Sequence, residues 1–160
     1  MVKEILLLGD KRLYQKSESV QVGKDLDPII ADLHDTLMDF RIRYQAGRAI
    51  AAPQIGVGER IIYMHLDSPT VFINPELEFP DGEEMEVLDD CMSFPDLYVR
   101  VKRHKRCIIQ YFDTDWKKRE MILEGDLAEL LQHEYDHLDG ILATMRAIDN
   151  KAFYMREEII

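Results

Sequence analysis

His133 and His137 stand four residues apart in the stretch QHEYDHLDG (132–140), with Glu134 directly after the first. On an α-helix, histidines at i and i+4 share a face and can both bind one zinc-like ion. A glutamate between them is then placed to serve as general base in a hydrolysis. The competing reading is a surface helix whose histidines are satisfied in the core, and the bare pattern does not decide between the two. A helical wheel shifts the weight between them. With Leu127 at zero and about 100° per residue, Leu127, Leu130, Leu131 and Leu138 fall within one arc, and Glu134 lands in its middle. His133 and His137 lie at its edge, about 40° apart. Burying a carboxylate is costly unless it is paired, so an inward Glu134 favours the metal. Asp136 and Asp139 point elsewhere on the wheel and read as solvated, and Asp126 and Glu129 have the N-cap and N3 spacing of a capping box.

Two histidines need a third ligand. The extended pattern HExxHxxGxxH finds its glycine at Gly140, but Ala143 stands where the third histidine belongs, so that peptidase class is excluded. A thermolysin-like site needs a later glutamate, for which Glu157 and Glu158 are the candidates at short range. The other candidate is Cys91 in DDCMSFP, a polar, turn-like setting, whereas Cys107 in RCIIQYF reads as a core cysteine. Cysteine plus two histidines leaves one coordination position for water, as a catalytic site requires; a closed structural site would need a fourth protein ligand.

The elements that must position these residues are legible in outline. Asp27–Ile42 has helical apolar spacing at Ile29, Ile30, Leu33, Leu37 and Phe40, with Asp27 as N-cap and Pro28 in the first turn. A second helix is expected over Asp126–Leu138. Between them RIIYMHL, TVFINPEL, EMEVLDDCMSF and REMILEG read as short strands bounded by turn residues, and LYVRVKRHKRCIIQYFD as one long strand. Its basic run Arg100–Arg106 reads as a solvated, edge-protecting face, or alternatively as a docking patch for an acidic partner. The chain closes on an amphipathic stretch, NKAFYMREEII. This order implies an α+β fold, with mostly antiparallel, short-stranded sheets around a central metal-binding helix, in one domain over residues 1–160.

Composition sets outer bounds. The 160 residues are 46% hydrophobic, enough for one real core, and the net charge of −11 argues against nucleic-acid binding. Only a five-residue apolar run stands near the N-terminus, so no signal or membrane segment is expected; two cysteines without a framework make a reducing cytoplasm the default.

Three segments, taken together and in order, resemble peptide deformylases. GRAIAAPQ is similar to that family's first motif through Gly47, Ala51, Ala52, Pro53 and Gln54; DDCMS resembles the second through Cys91 and Ser93; QHEYDHLDG matches the third through His133, Glu134, Asp136 and His137. LLLGDKRL and FINPEL are weaker echoes. The resemblance implies a compact α+β domain that removes the N-formyl group from the initiator methionine of new polypeptides. It implies that Cys91, His133 and His137 hold one divalent metal, Fe2+ in the cell, with Zn2+, Ni2+ or Co2+ as alternatives. It further implies that Glu134 moves the proton while a metal-bound water attacks, that Gln54 and the Met92 N–H stabilise the oxyanion, and that substrate pairs as an extended strand near Gly47–Ala49. Metal loading should then fall at acid pH and, for Fe2+, activity should be lost in air. The implied partners are formylmethionyl peptides and, transiently, the ribosome; docking to the latter through the C-terminal stretch is disfavoured by its two acidic residues against two basic.

Departures from the family pattern cluster where substrate would bind. Arg48 replaces an apolar residue, Ala49 a glycine, and Asp90 another glycine, while Asp89 replaces glutamate and can pair with a downstream arginine such as Arg103. Ala49 is harmless unless its backbone needs positive φ. Arg48, Ala49 and Asp90 leave open a related amidase acting on another N-formyl or N-acyl substrate.

Overall fold

The run Ile61–Met64 is apolar without alternation because the sheet it joins is covered on both faces. In the computed structural model, which describes residues 1–159, this run forms most of β2 (Ile61–His65). Ile61 and Tyr63 pack with Leu33, Leu37 and Phe40 of helix α1 (Asp27–Tyr44), and Ile62 and Met64 pack with Leu131 and Leu138 of helix α2 (Asp126–Leu138). Successive strand side chains point to opposite faces, so two cores require a continuous apolar run.

The other strands of this sheet are β1 (Ala49–Ala51), β3 (Pro69–Glu78), β6 (Arg106–Phe112) and β7 (Lys118–Glu124), in the order β1-β2-β3-β6-β7. A second sheet has the order β4-β5-β8, from β4 (Glu84–Cys91), β5 (Phe94–His104) and β8 (Phe153–Met155). All the strand pairings are antiparallel. Helix α2 lies between the sheets, packed on β1 and β7 of one and β5 of the other. The α+β reading with a central helix therefore holds.

Four local expectations need correction. The stretch LYVRVKRHKRCIIQYFD is two strands in different sheets, broken at Lys105, whose N–H donates to Glu83 O at 2.9 Å and whose carbonyl accepts from Gly125 N at 3.0 Å. The basic run is consequently not one solvated face: Val101 and Arg103 are buried, and Arg106 is engaged by Asp81, Glu83 and Glu124. In α1, Asp27 is already helical; Asp25 Oδ1, not Asp27, accepts the first-turn N–H of Asp27 at 3.1 Å. In α2 the N-cap is Gly125, so Asp126 and Glu129 form no capping box. The closing amphipathic stretch forms β8 and a short 3-10 turn at Arg156–Glu158.

The C-terminus of α2 is pinned with care, which matters because His137 sits in its last turn. The Leu138 carbonyl, an orphan acceptor of the helix end, receives Ser17 N at 2.8 Å, Ser17 Oγ at 2.7 Å and Arg60 Nη1 at 3.0 Å. Gly140 then takes φ +73°, and a Cβ there would stand 2.5 Å from the Tyr14 carbonyl oxygen. Only glycine lets the two backbones approach so closely.

Candidate metal centre

Helix α2 carries His133 and His137 one turn apart on its buried side, ring centroids 5.0 Å from each other. Cys91 comes from the opposite direction, at the end of β4, just after a register shift between Asp89 and Cys91 and just before the tight turn into β5. That irregularity turns the sulfur toward the helix: Cys91 Sγ lies 3.3 Å from His137 Nε2. One donor atom from each of the three residues falls within 4.8 Å of the others, and all three residues are buried.

The surrounding groups orient these donors. Asp89 Oδ2 lies 3.2 Å from His133 Nδ1, which keeps the proton on that nitrogen and leaves Nε2 free as a ligand. Asp89 also accepts from Arg103 Nη2 at 2.6 Å, the pairing anticipated from sequence. Arg103 reaches on to Asp136 through Nη1 at 2.6 Å, and Arg146 holds Asp136 from outside with Nε at 2.6 Å. Asp136 is therefore buried in an ion network, not solvated as its wheel position suggested; Asp139 is half-buried and pairs with Arg60 at 2.9 Å.

Electrostatics follow from burial and these neighbours. Burial raises Asp89, but the His133 hydrogen bond and charge, with Glu129 and Arg103 adding, outweigh it and hold Asp89 ionised below the usual carboxylate range. Burial and the nearby His133 push His137 well down, so its imidazole is neutral, as a ligand must be. Burial lowers His133 too, yet the negative charge of Cys91 and Asp89 overrides it and pulls its pKa up: a cation is wanted there. Glu134 is pushed up to about 7, chiefly by burial, with His133 opposing.

At this site two buried atoms, Glu134 Oε1 and His137 Nδ1, have no hydrogen-bond partner among the described residues. Buried polar atoms are rarely left unpaired, and an unpartnered carboxylate oxygen beside a cysteine and two histidines fits an ion with its water. The donor set of one sulfur and two imidazoles fits a soft or borderline divalent metal.

Gln54 closes another side. Its Oε1 accepts from Ala51 N at 3.0 Å, which fixes the amide so that Nε2 donates to Ser93 Oγ at 3.2 Å and to Cys91 Sγ at 3.6 Å. The residues before Gln54 need their own support. Gly47 has φ +118°, and its carbonyl accepts Arg41 Nε at 3.0 Å; Ala49, by contrast, is an ordinary strand residue opposite Met64, without positive φ. The alanine there is free of backbone strain. A cavity of about 290 Å³ is lined by Gln54, Cys91, Met92, His133 and Glu134, by Gly47, and by all four departures, Arg48, Ala49, Asp89 and Asp90. His137 sits behind it, against the sulfur.

A statistical model of the family described as Polypeptide deformylase matches residues 2–153. The chain belongs to the polypeptide deformylase family. Among named relatives, the peptide deformylase of Pseudothermotoga lettingae is 35% identical over 161 residues, covering 100% of this chain and 91% of its own. That of Dictyoglomus thermophilum is 35% identical over 151 residues, covering 93% and 95%. The crystal structure of the peptide deformylase from Thermotoga maritima superposes with a TM-score of 0.85 at 31% identity, covering 93% of this chain and 99% of that one. The enzyme class, a metal-dependent hydrolase of N-formyl groups, follows from this membership together with the Cys91–His133–His137 cluster.

Sequence reasoning misread Glu129 and Asp136 and missed Arg146 around this candidate site. Glu129 lines the cavity, half-buried, its carboxyl raised to about 8 by burial and by the adjacent Asp89. Its signal was a position one helical turn before His133, masked by the capping-box pattern. Asp136 and Arg146 complete the ion network behind Asp89, and nothing in the local spacing marked Arg146. Glu157 and Glu158 are exposed, and the described donor cluster does not include them, which removes the thermolysin-like ligand set. Among the described residues no helix is long and apolar enough to cross a membrane.

Proposed function

We propose that residues 1–160 form one catalytic domain that hydrolyses the N-formyl group of formylmethionyl peptides, with Cys91, His133 and His137 as metal ligands. The observation that carries this reading is the meeting of those three donors within 4.8 Å beside an unpartnered, buried Glu134 oxygen. The ion, when bound, supplies Lewis acidity that makes a water acidic enough to act as nucleophile near neutral pH. A thiolate-containing donor set suits Fe2+, which we assign as the cellular metal, with Zn2+, Ni2+ and Co2+ as substitutes.

The chain's own groups do the rest. Glu134 takes the proton of the attacking water and returns it to the amine nitrogen as the formyl C–N bond breaks. Gln54 Nε2 and the Met92 N–H donate to the oxygen that gains charge, each worth roughly 3 kcal/mol in such a role. Asp89 keeps His133 in the correct tautomer, and Arg103 keeps Asp89 in place. The peptide lies extended beside Gly47, Arg48 and Ala49, where β1 is the edge strand of its sheet, with Asp90 across the cavity. Newly made chains as substrate place the work in the cytoplasm. Residues 153–158 form β8 and a 3-10 turn, so this stretch itself offers no basic helix for a ribosome contact.

The test is formate release from formyl-Met-Ala-Ser by anaerobically purified, Fe2+-loaded protein. Release that disappears in Glu134→Gln at unchanged metal content supports the assignment; no release by metal-loaded wild type contradicts it. Cys91→Ala that still retains the ion would contradict the ligand set.

A further inference from the structure

We propose that Arg48 and Glu129 are specificity-determining residues that let this site take N-formyl substrates with a polar, hydrogen-bonding first side chain alongside formylmethionine. The proposal rests on the deformylase reading above and names the substrate class of that same site.

The cavity in front of Cys91 and Glu134 is not an apolar slot. Part of its wall is apolar, from Phe40, Tyr44, Met92 and Leu130, but Arg48, Glu129 and Asp90 stand in the same wall. Glu129 is half-buried; Arg48 and Asp90 are exposed at the rim. Arg48 lies close enough to act electrostatically on both Glu129 and Glu134. Its backbone is fixed, because its carbonyl accepts His65 N at 2.9 Å and the preceding Gly47 carbonyl accepts Arg41 Nε at 3.0 Å. The side chain therefore leaves from a defined backbone position, not from a wandering loop.

Neither residue is needed for the chemistry. The ligand set is complete without them, Glu134 serves as acid and base, and Asp89 is already held by Arg103. Glu129 also meets Asp89, but like Arg48 it stands in the cavity wall, where substrate would touch it. At 290 Å³ the cavity is small for a ligand site, so a first side chain that fills it must touch its walls. A methionine thioether is at best a weak acceptor and donates nothing. When it displaces water from the half-buried Glu129 carboxyl, it leaves that group without a replacement partner. A side chain with both a donor and an acceptor, such as a carboxamide, pairs with both groups. Sites built to hydrogen-bond discriminate far more strongly than sites that merely fit methylenes. Because Arg48 is exposed and can keep its water, the outcome is a levelled preference rather than exclusion of methionine.

The experiment compares kcat/KM of Fe2+-loaded protein on formyl-Met-Ala-Ser, formyl-norleucyl-Ala-Ser and formyl-Gln-Ala-Ser. It also measures the affinity of the deformylated peptides Met-Ala-Ser and Gln-Ala-Ser by calorimetry. Wild type is expected to process the glutamine substrate within about fivefold of the methionine one. Arg48→Leu with Glu129→Leu is expected to raise the Met:Gln ratio by about tenfold or more, with product affinities moving the same way. Arg48→Leu alone, at an exposed position, shifts the ratio in the same direction even if the double variant folds poorly, and Arg48→Lys retains most of the wild-type ratio. Efficient release from the methionine and norleucine peptides with glutamine about a hundredfold poorer, or a ratio unmoved by Arg48→Leu, overturns this proposal alone. No release from any of the three peptides overturns the deformylase reading with it.

Discussion

Asp89 holds His133: the carboxylate Oδ2 sits 3.2 Å from the imidazole Nδ1, while Arg103 grips the same oxygen from the other side at 2.6 Å. One buried oxygen thus joins a residue of the metal site to an arginine on a different strand. Removing such an orienting carboxylate commonly costs about 10–100-fold in metal affinity. Asp89→Asn is expected to lose affinity in that range, read by competition with a chelator, while Asp89→Glu restores most of it. Unchanged affinity in Asp89→Asn would mean that His133 is oriented by something else.

Stability should report the same network separately. Arg103 is 3% exposed and faces both Asp89 and Asp136, so Asp136→Ala removes one of the two carboxylates that balance its buried charge. Breaking a buried pair in this way costs about 3–5 kcal/mol. Arg146 is partly exposed and contributes less. Denaturant unfolding of metal-free protein measures this without interference from the ion.

Gly140→Ala tests how α2 is anchored. The added Cβ meets the Tyr14 carbonyl oxygen at 2.5 Å on a backbone with φ +73°. The left-handed conformation alone costs an alanine about 1–2 kcal/mol, and the clash adds to it. A lower Tm with weakened metal retention is expected, since His137 lies in the adjoining turn. A Tm within a degree of wild type would show that the Tyr14 backbone yields easily.

The two cysteines should behave differently toward a thiol reagent. Burial pushes Cys107 up to about 11, which leaves little thiolate at neutral pH. Holo protein should label at neither cysteine, metal-free protein at Cys91 only, and unfolded protein at both. Labelling of Cys91 at equal rates with and without metal would contradict its place in the ligand set.

The pH dependence has a definite sign. Glu134 must be ionised to accept a proton, and burial raises it to about 7, with nearby positive charge opposing. A bound cation opposes the shift further. Activity at constant metal loading should therefore fall as pH drops through an apparent pKa at or below about 7. Metal-free protein has the reverse linkage: a carboxyl raised on folding stabilises the folded form at low pH, and that contribution fades as pH rises toward 7. A kcat/KM that stays flat from pH 8 down to about 4, the ordinary range of a glutamate, would remove Glu134 from the proton transfer.

The residues of the candidate site were legible because their chemistry leaves short-range marks. His133, Glu134 and His137 are set by helical spacing, and Cys91 and Gln54 sit in short motifs that hold their shape locally. Glu129 and Asp136 were misread for a physical reason. Acidic residues on a helix look alike in sequence whether they meet water or an arginine, and what distinguishes them is the approach of β4 and β5, brought from forty residues away. The break at Lys105 was hidden likewise. Both flanks favour extended structure, with no glycine or proline between, and only the pairing of β5 with β4 and of β6 with β3 and β7 divides them. Continuous apolar runs such as Ile61–Met64 marked buried strands correctly, without telling which helix covers which face.

The central claim is that Glu134 moves the proton at a metal held by Cys91, His133 and His137. The most direct measurement is single-turnover formate release from formyl-Met-Ala-Ser by Fe2+-loaded wild type and Glu134→Gln, each assayed for bound iron. Equal iron with release lost by at least about a hundredfold in the variant is the expected result. Equal iron with release within threefold of wild type would contradict the account.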